Sequence, residues 1–300
     1  MTFVTFDSGG EARLGVLDGE RRRVVDVARA ATAVGEASAP ATMLALTDLG
    51  DAGVALAERL LAALDRLPAD AVHALDDVRV LAPIPRPRKN VFAVGLNYVK
   101  HNAEFTRGAD MPPAPIVFTK APTSVVGPDD PVVLRPDLST KVDYEGELGV
   151  VIGKAGADIP PERAEEHVFG YTIINDVTAR DLQKRTSQWF LGKALDTFCP
   201  MGPYLVHKSE VGWPVRLQVR TTINGEVRQD GSTADLYFDV PTLIATVSAG
   251  ITLEPGDVIA TGTPEGVGIG FDPPKFLADG DEMVIEIEKL GTLRNRVRSR

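Results

Sequence analysis

Residues 82–87 read Ala82-Pro83-Ile84-Pro85-Arg86-Pro87, and prolines at every second position exclude a helix and an inner strand there. Such a stretch adopts extended polyproline geometry and behaves as a semi-rigid connector. It divides the 300 residues into a small N-terminal domain over 1–80, a linker over 81–89 and a larger domain over 90–300. A chain of this length buries a sizeable core without difficulty.

Before the connector, short strand-like pieces (Phe3 to Phe6, Arg13 to Leu17) precede a segment in which Leu56, Leu60, Leu64 and Leu67 recur at helical spacing, ended by Pro68. After it, short apolar runs dominate: Asn90 to Val94, Ile116 to Thr119, Leu148 to Ile152, Tyr171 to Ile174, Leu217 to Thr222, Val258 to Thr261 and Glu282 to Ile287. Asn224-Gly225 is a hairpin signal, because both residues accept the positive φ of a two-residue turn. Glu254-Pro255-Gly256-Asp257 and Asp279-Gly280-Asp281 mark further turns. The expected class is α+β and mainly β, with no internal repeat.

A net charge of −10 argues against nucleic acid or an anionic membrane as partner. It also requires that an anionic substrate be recruited by local positive charge. The lone cysteine, Cys199, rules out an internal disulfide and reads as a buried, inert thiol. No secretory leader, membrane span or lipidation box is visible, so a cytoplasmic address is expected.

Chemistry concentrates in Asp143-Tyr144-Glu145-Gly146-Glu147-Leu148. In an extended strand Glu145 and Glu147 point to one face, where their repulsion calls for water, a proton or a cation. The pair is either a solvated strand edge or part of a site. Asn175-Asp176 ends another apolar strand, and Asp176 is either a helix cap or a third acid. Three carboxylates with no Cys or His at ligand spacing make a hard oxygen site for Mg²⁺ or Mn²⁺ rather than Zn²⁺. Gly262-Thr263-Pro264-Glu265-Gly266-Val267-Gly268 lacks the Gly-Lys-Ser/Thr ending of a phosphate loop, so a nucleotide site is not expected. His73, His167 and His207 read as surface or packing residues, and Trp189 and Phe190 as core aromatics rather than pocket walls.

Together with Gly170 to Asp181, Gly192-Lys193 and Gly256 to Gly268, the Asp143–Leu148 segment resembles the signature segments of the fumarylacetoacetate hydrolase family over roughly Pro83 to Val297. The resemblance is greatest to a bacterial branch of oxaloacetate decarboxylases or tautomerases and acylpyruvases. It implies a β-roll catalytic domain (a distorted barrel or sandwich), usually homodimeric, with Glu145, Glu147 and Asp176 as ligands to Mg²⁺ or Mn²⁺. It places His101 and Glu104 on a lid where the pair orients or activates water, and their i, i+3 spacing lets Glu104 hold the imidazole. It makes Lys193 a catalytic cation, and Lys120, Arg180, Gln183 and Thr263 substrate contacts.

The function implied is a metal-dependent enzyme acting on small 2-oxo or 2,4-dioxo acids through a pyruvate enolate. Acylpyruvate C–C hydrolysis and oxaloacetate decarboxylation are the named reactions, and keto–enol tautomerisation uses the same proton-transfer groups. Alternatives are an isomerase or hydrolase of longer dioxo acids from aromatic degradation, a glycosidase acid–base pair, or a catalytically silent binding or scaffold protein. Few aromatic platforms argue against sugar, and the complete set of acids and bases against silence.

Overall fold

The computed structural model describes every residue except Arg107 and Ala109. Alternating side chains define the first hairpin: Thr2–Ser8 pairs with Glu11–Leu17, Phe3 opposite Val16, and burial falls on Phe3, Val4, Phe6, Leu14 and Val16. Thr2–Ser8 pairs on its other side with Cys199–His207, Phe3 opposite Leu205. One twelve-stranded sheet therefore runs from the N-terminal segment into the later chain. Its path is Val72–Ala74, Arg23–Asp26, Glu11–Leu17, Thr2–Ser8, Cys199–His207, Val168–Asn175, Gly146–Ile152, Val258–Ala260, Val91–Gly95, Ile116–Lys120, and two short strands lie off it, Arg79–Leu81 beside Thr2–Ser8 and Val125–Val126 beside Cys199–His207. The path is open at both ends, so the distorted barrel implied by the resemblance is not closed. A five-stranded sheet follows the order Glu226–Ser232, Gln218–Ile223, Glu282–Ile287, Gly291–Ser299, Val132–Leu134.

Strand outweighs helix, as the punctuated apolar runs predict. One apolar cluster joins Phe3, Val16, Leu60 and Ile84 to Val91, Met201, Leu205 and Ala260. Another joins Leu148, Val150 and Ile173 to Val219 and Ile285, cementing the two sheets. The proline-rich segment is packed rather than free-standing: Ala82 and Ile84 are buried and the Pro83 carbonyl accepts from Thr5 Oγ1 at 2.7 Å. Extended backbone leaves its carbonyls available for such partners.

The Asn224-Gly225 turn forms as expected, with φ of 52° and 79°, and Gly256 takes φ of 85° in the Pro255-Gly256 turn. The leucine helix is shorter than its periodicity suggests. Asp51–Ala62 carries Leu56 and Leu60, whereas Leu64 falls in a separate 3₁₀ turn, Leu64–Arg66. Cys199–His207 escapes a reading by composition because Pro200, Gly202 and Pro203 look like breakers, yet the strand lies mid-sheet. No helix among the described residues is long and apolar enough to cross a membrane.

Candidate active site

Three acids meet where two neighbouring strands end. Gly146 pairs with Asn175 and Glu147 with Ile174, and the Asp176 amide donates to the Glu145 carbonyl at 2.9 Å. Asn175 Oδ1 accepts the Glu145 amide at 3.1 Å, fixing the same corner. Glu145, Glu147 and Asp176 are all buried, and each offers an oxygen within 4.8 Å of the others. Asp176 is not a helix cap, since the helix Arg180–Arg185 starts from Ala179. Gly146 is required by close packing: a Cβ there would lie 2.4 Å from Thr221 Oγ1 of the second sheet.

Cations compensate the acids. Lys193 Nζ donates to Glu145 Oε2 at 2.8 Å and to Asp176 Oδ2 at 2.7 Å. Arg180 Nη1 lies 2.6 Å from Glu145 Oε1, and its Nε donates to Asp143 Oδ2 at 2.8 Å. Burial alone would raise the Glu145 pKa, but Lys193 and then Arg180 more than reverse that and hold it below the ordinary carboxylate range. Burial likewise opposes the Lys193 charge, yet Asp176 and Glu145 outweigh it and the ammonium is stabilised. Glu147 is different. It has no ion-pair partner among the described residues, and burial, then Asp176 and Glu145, push its pKa well above the ordinary range.

Lys120 is brought to the triad but not to the pocket. Fully buried behind Asp176, it donates to Asp176 Oδ1, to the Lys193 carbonyl and, at 3.2 Å, to the Val177 carbonyl. All three of its protons are thereby used, so it orders the carboxylate and the Lys193 backbone instead of meeting substrate as expected.

The loop after Val258–Ala260 holds carboxylates, though they belong to the protein itself. The Gly262 amide donates to Glu147 Oε2 at 2.8 Å, Gly266 to both Glu104 oxygens at 3.1 Å, and Gly268 and Ile269 to Asp143 at 2.6 and 3.0 Å. Thr263 faces the pocket, but its hydroxyl donates to the Gly146 carbonyl at 2.9 Å and accepts from Gln229 Nε2 at 2.7 Å. It is therefore committed to scaffold bonds rather than free for the expected substrate contact.

His101 and Glu104 lie on the helix Val99–Thr106 above the triad. Their closest ring-nitrogen to carboxylate distance is 3.8 Å, too long for a hydrogen bond, and buried His101 Nδ1 has no hydrogen-bond partner. The chain enters the helix by way of Leu96, a pocket residue with φ of 56°, a conformation strained for a branched side chain. Asn97 pins this entry: its amide donates to the Phe238 and Thr261 carbonyls at 3.0 and 2.8 Å and accepts from the Phe238 amide at 2.8 Å. Asn97→Ala strands those groups, so we expect a loss on the order of 3 kcal/mol in urea unfolding. An unchanged unfolding midpoint would remove Asn97 from this role.

The pocket is narrow and is lined by Val94, Gly95, Leu96, His101, Phe105, Glu145, Glu147, Arg180, Lys193, Gln183, Trp189 and Thr263. Gln183 Oε1 accepts from Arg180 Nη1 at 3.2 Å. Trp189 is a pocket wall rather than a core residue: its ring packs tilted against Phe118 at 5.4 Å and Phe105 at 6.3 Å, in space left by Gly95, whose Cβ would sit 2.3 Å from the indole. Phe190 is exposed, so neither aromatic takes the core place assigned to it. Cys199 is buried, and burial pushes its thiol up to about 12, consistent with an inert group.

A profile of the fumarylacetoacetate (FAA) hydrolase C-terminal region matches residues 90–298. The chain belongs to the fumarylacetoacetate hydrolase family. It is 52% identical over 262 residues to oxaloacetate tautomerase YisK of Bacillus subtilis (strain 168), covering 86% of this chain and 87% of the relative. It is 48% identical over 260 residues to the mitochondrial oxaloacetate tautomerase FAHD2A of Homo sapiens, covering 86% and 80%. Among solved structures, a fumarylacetoacetate hydrolase from Exiguobacterium antarcticum superposes with a TM-score of 0.80 at 43% identity, each chain covered in full. Maleylpyruvate hydrolase from Sphingobium sp. SYK-6, in complex with manganese(II) and pyruvate, gives 0.78 at 33% identity, covering 100% of this chain and 99% of that one. The chain is accordingly an enzyme of this family.

The donor set fits a divalent cation. All three groups are hard oxygen donors, they converge in a buried corner, and Glu147 in particular lacks the positive charge that its two neighbours have. Asp143, Asn97 and Gln229 are the site residues that the sequence reading missed. Asp143 stood inside the quoted motif, but Asn97 and Gln229 come from segments whose approach to the triad is set by tertiary structure.

Proposed function

We propose that this enzyme interconverts the enol and keto forms of oxaloacetate or a similarly short dicarboxylic 2-oxo acid. The observation that carries the reading is a small pocket in which buried His101, its Nδ1 unpartnered, faces the acid triad beside two cations with donors to spare. The two tautomerase relatives, matched over most of their length, support the same choice.

Mg²⁺ or Mn²⁺ held by Glu145, Glu147 and Asp176 would supply Lewis acidity to the 2-oxo group. The protein's own groups do the rest. Arg180 Nη2 is buried without a partner, and Lys193 spends two of its three protons on Glu145 and Asp176, so both retain an N–H for substrate carboxylates. His101 Nδ1 takes the proton as the C3–H bond breaks and returns it to the 2-oxygen; the reverse sequence restores the keto form. Glu104, 3.8 Å away, favours the transient imidazolium. Phe105 and Trp189 exclude water, which a tautomerase does not consume. A homodimer is part of this reading, supported by the family resemblance and tested by molar mass in solution.

The test follows the near-ultraviolet absorbance of enol-oxaloacetate, alongside pyruvate release from oxaloacetate and from acetylpyruvate, each with Mn²⁺ or chelator. Acceleration of enol loss, with pyruvate release near background, is the expected result. Faster pyruvate release from acetylpyruvate without any effect on the enol would overturn the tautomerase reading in favour of C–C hydrolysis.

A further inference from the structure

We infer that Asp143 is a positioning residue that couples the helix over the pocket to Arg180, so that the cation and His101 reach their working positions together. The inference rests on the proposed reaction for its kinetic readout, but its geometry is independent of it. Asp143 is fully buried and its two oxygens receive four donors: Tyr144 N at 3.0 Å and Gly268 N at 2.6 Å on Oδ1, Arg180 Nε at 2.8 Å and Ile269 N at 3.0 Å on Oδ2. One carboxylate thus grips both a loop and a pocket cation.

Each end of that link is fixed by something nearby. On the cation side, Val142–Asp143 pairs with Thr178–Ala179, and the Arg180 amide donates to the Lys141 carbonyl at 2.9 Å, so the ladder delivers Arg180 beside Asp143. With Nε on Asp143 and Nη1 on Glu145, the guanidinium plane is set and the unpartnered Nη2 is left over. On the loop side, the same Gly266–Gly270 turn that Asp143 anchors also holds the lid acid. Gly266 N donates to both Glu104 oxygens, and a Cβ on Gly270 would lie 3.0 Å from the Glu104 carboxyl carbon. Tyr144, next in sequence, ties the loop from below through its hydroxyl to the Gly266 carbonyl at 2.9 Å. Moving the loop therefore pulls on Asp143, and with it on Arg180.

The test combines Asp143→Asn, Arg180→Lys and the double variant, with kcat and KM for enol-oxaloacetate and amide hydrogen exchange over Val99–Thr106 and Gly262–Gly270. Asn cannot accept all four bonds, and we expect kcat/KM to fall about 100-fold, a misplacement-sized effect, with KM carrying much of it. The double variant should be little worse than the poorer single one, because both act through one link. Exchange should rise together in both segments. Gly268→Ala is the second variant: its methyl would sit 2.3 Å from the Lys275 carbonyl oxygen and 2.6 Å from Asp143 Oδ1, so the loop must shift away from Asp143 while the buried charges stay intact, and it should produce the same paired rise. Multiplicative losses in the double variant, or a lower melting temperature with KM and helix exchange unchanged, would overturn the coupling and leave Asp143 a purely structural residue. Because exchange needs no turnover, a coupled rise in protein that lacks tautomerase activity would refute the proposed reaction and still support the link.

Discussion

Lys193→Met is expected to cut turnover by about 10²–10³-fold, the scale of losing one preorganised donor at a site of developing charge. The larger signature is in stability. Lys193 is the shared partner of Glu145 and Asp176, and its removal leaves buried carboxylates short of a cation, a defect of about 3–5 kcal/mol. The sign of the pH dependence follows from Glu145. Its folded pKa is depressed, so its stabilising contribution is present above the unfolded value and disappears as pH falls through the folded one. The variant lacks most of that contribution, and the gap from wild type should be wide near neutrality and narrow in acid. Urea unfolding at about pH 7 and at about pH 2.5, the latter well below the ordinary carboxylate value and inside the window down to the depressed one, measures it. A gap that stays constant with pH would mean that Lys193 does not carry the Glu145 charge.

Glu147 predicts the opposite slope. Its folded pKa is raised, so the metal-free protein binds that proton more tightly than the unfolded chain does, and its stability should decline as pH rises from the ordinary carboxylate range toward the raised value. Mn²⁺ uptake should displace the proton and strengthen with pH. Calorimetric titration in buffers of different ionisation enthalpy reads the released proton directly. Glu147→Gln removes the charge at constant shape: metal affinity should fall at least about 100-fold while the metal-free protein holds or gains stability near neutrality. Wild-type affinity in that variant would withdraw Glu147 from the ligand set.

The acids were legible in the sequence because their arrangement is local. Alternation on one strand aligns Glu145 with Glu147, and Asp176 follows the adjoining strand by one residue. Asn224-Gly225 was legible for the same reason, since turn chemistry needs no distant partner. Lys120 and Thr263 were correctly placed near the triad, but what they bond to depends on contacts between distant segments, and both turned out to serve the scaffold. Gln229 had no local signal. It reaches Gly146, Thr263 and Pro264 because Glu226–Ser232 pairs with Gln218–Ile223 beneath the active corner. The strand Cys199–His207 was hidden by its prolines, and with it the continuity of the large sheet.

That continuity constrains how such a protein can be taken apart or recombined. Cys199–His207 is flanked by Val168–Asn175 on one edge and Thr2–Ser8 on the other, and Met1 closes the corner through its carbonyl to the His207 amide at 2.9 Å. A fragment restricted to residues 90–298 would bare that second edge together with Met201 and Leu205, inviting strand-to-strand aggregation. Exchange of N-terminal segments between relatives would therefore succeed when the incoming strand matches Leu205 and Val206 in register. The first few residues travel with the catalytic half as an inseparable stave of its sheet.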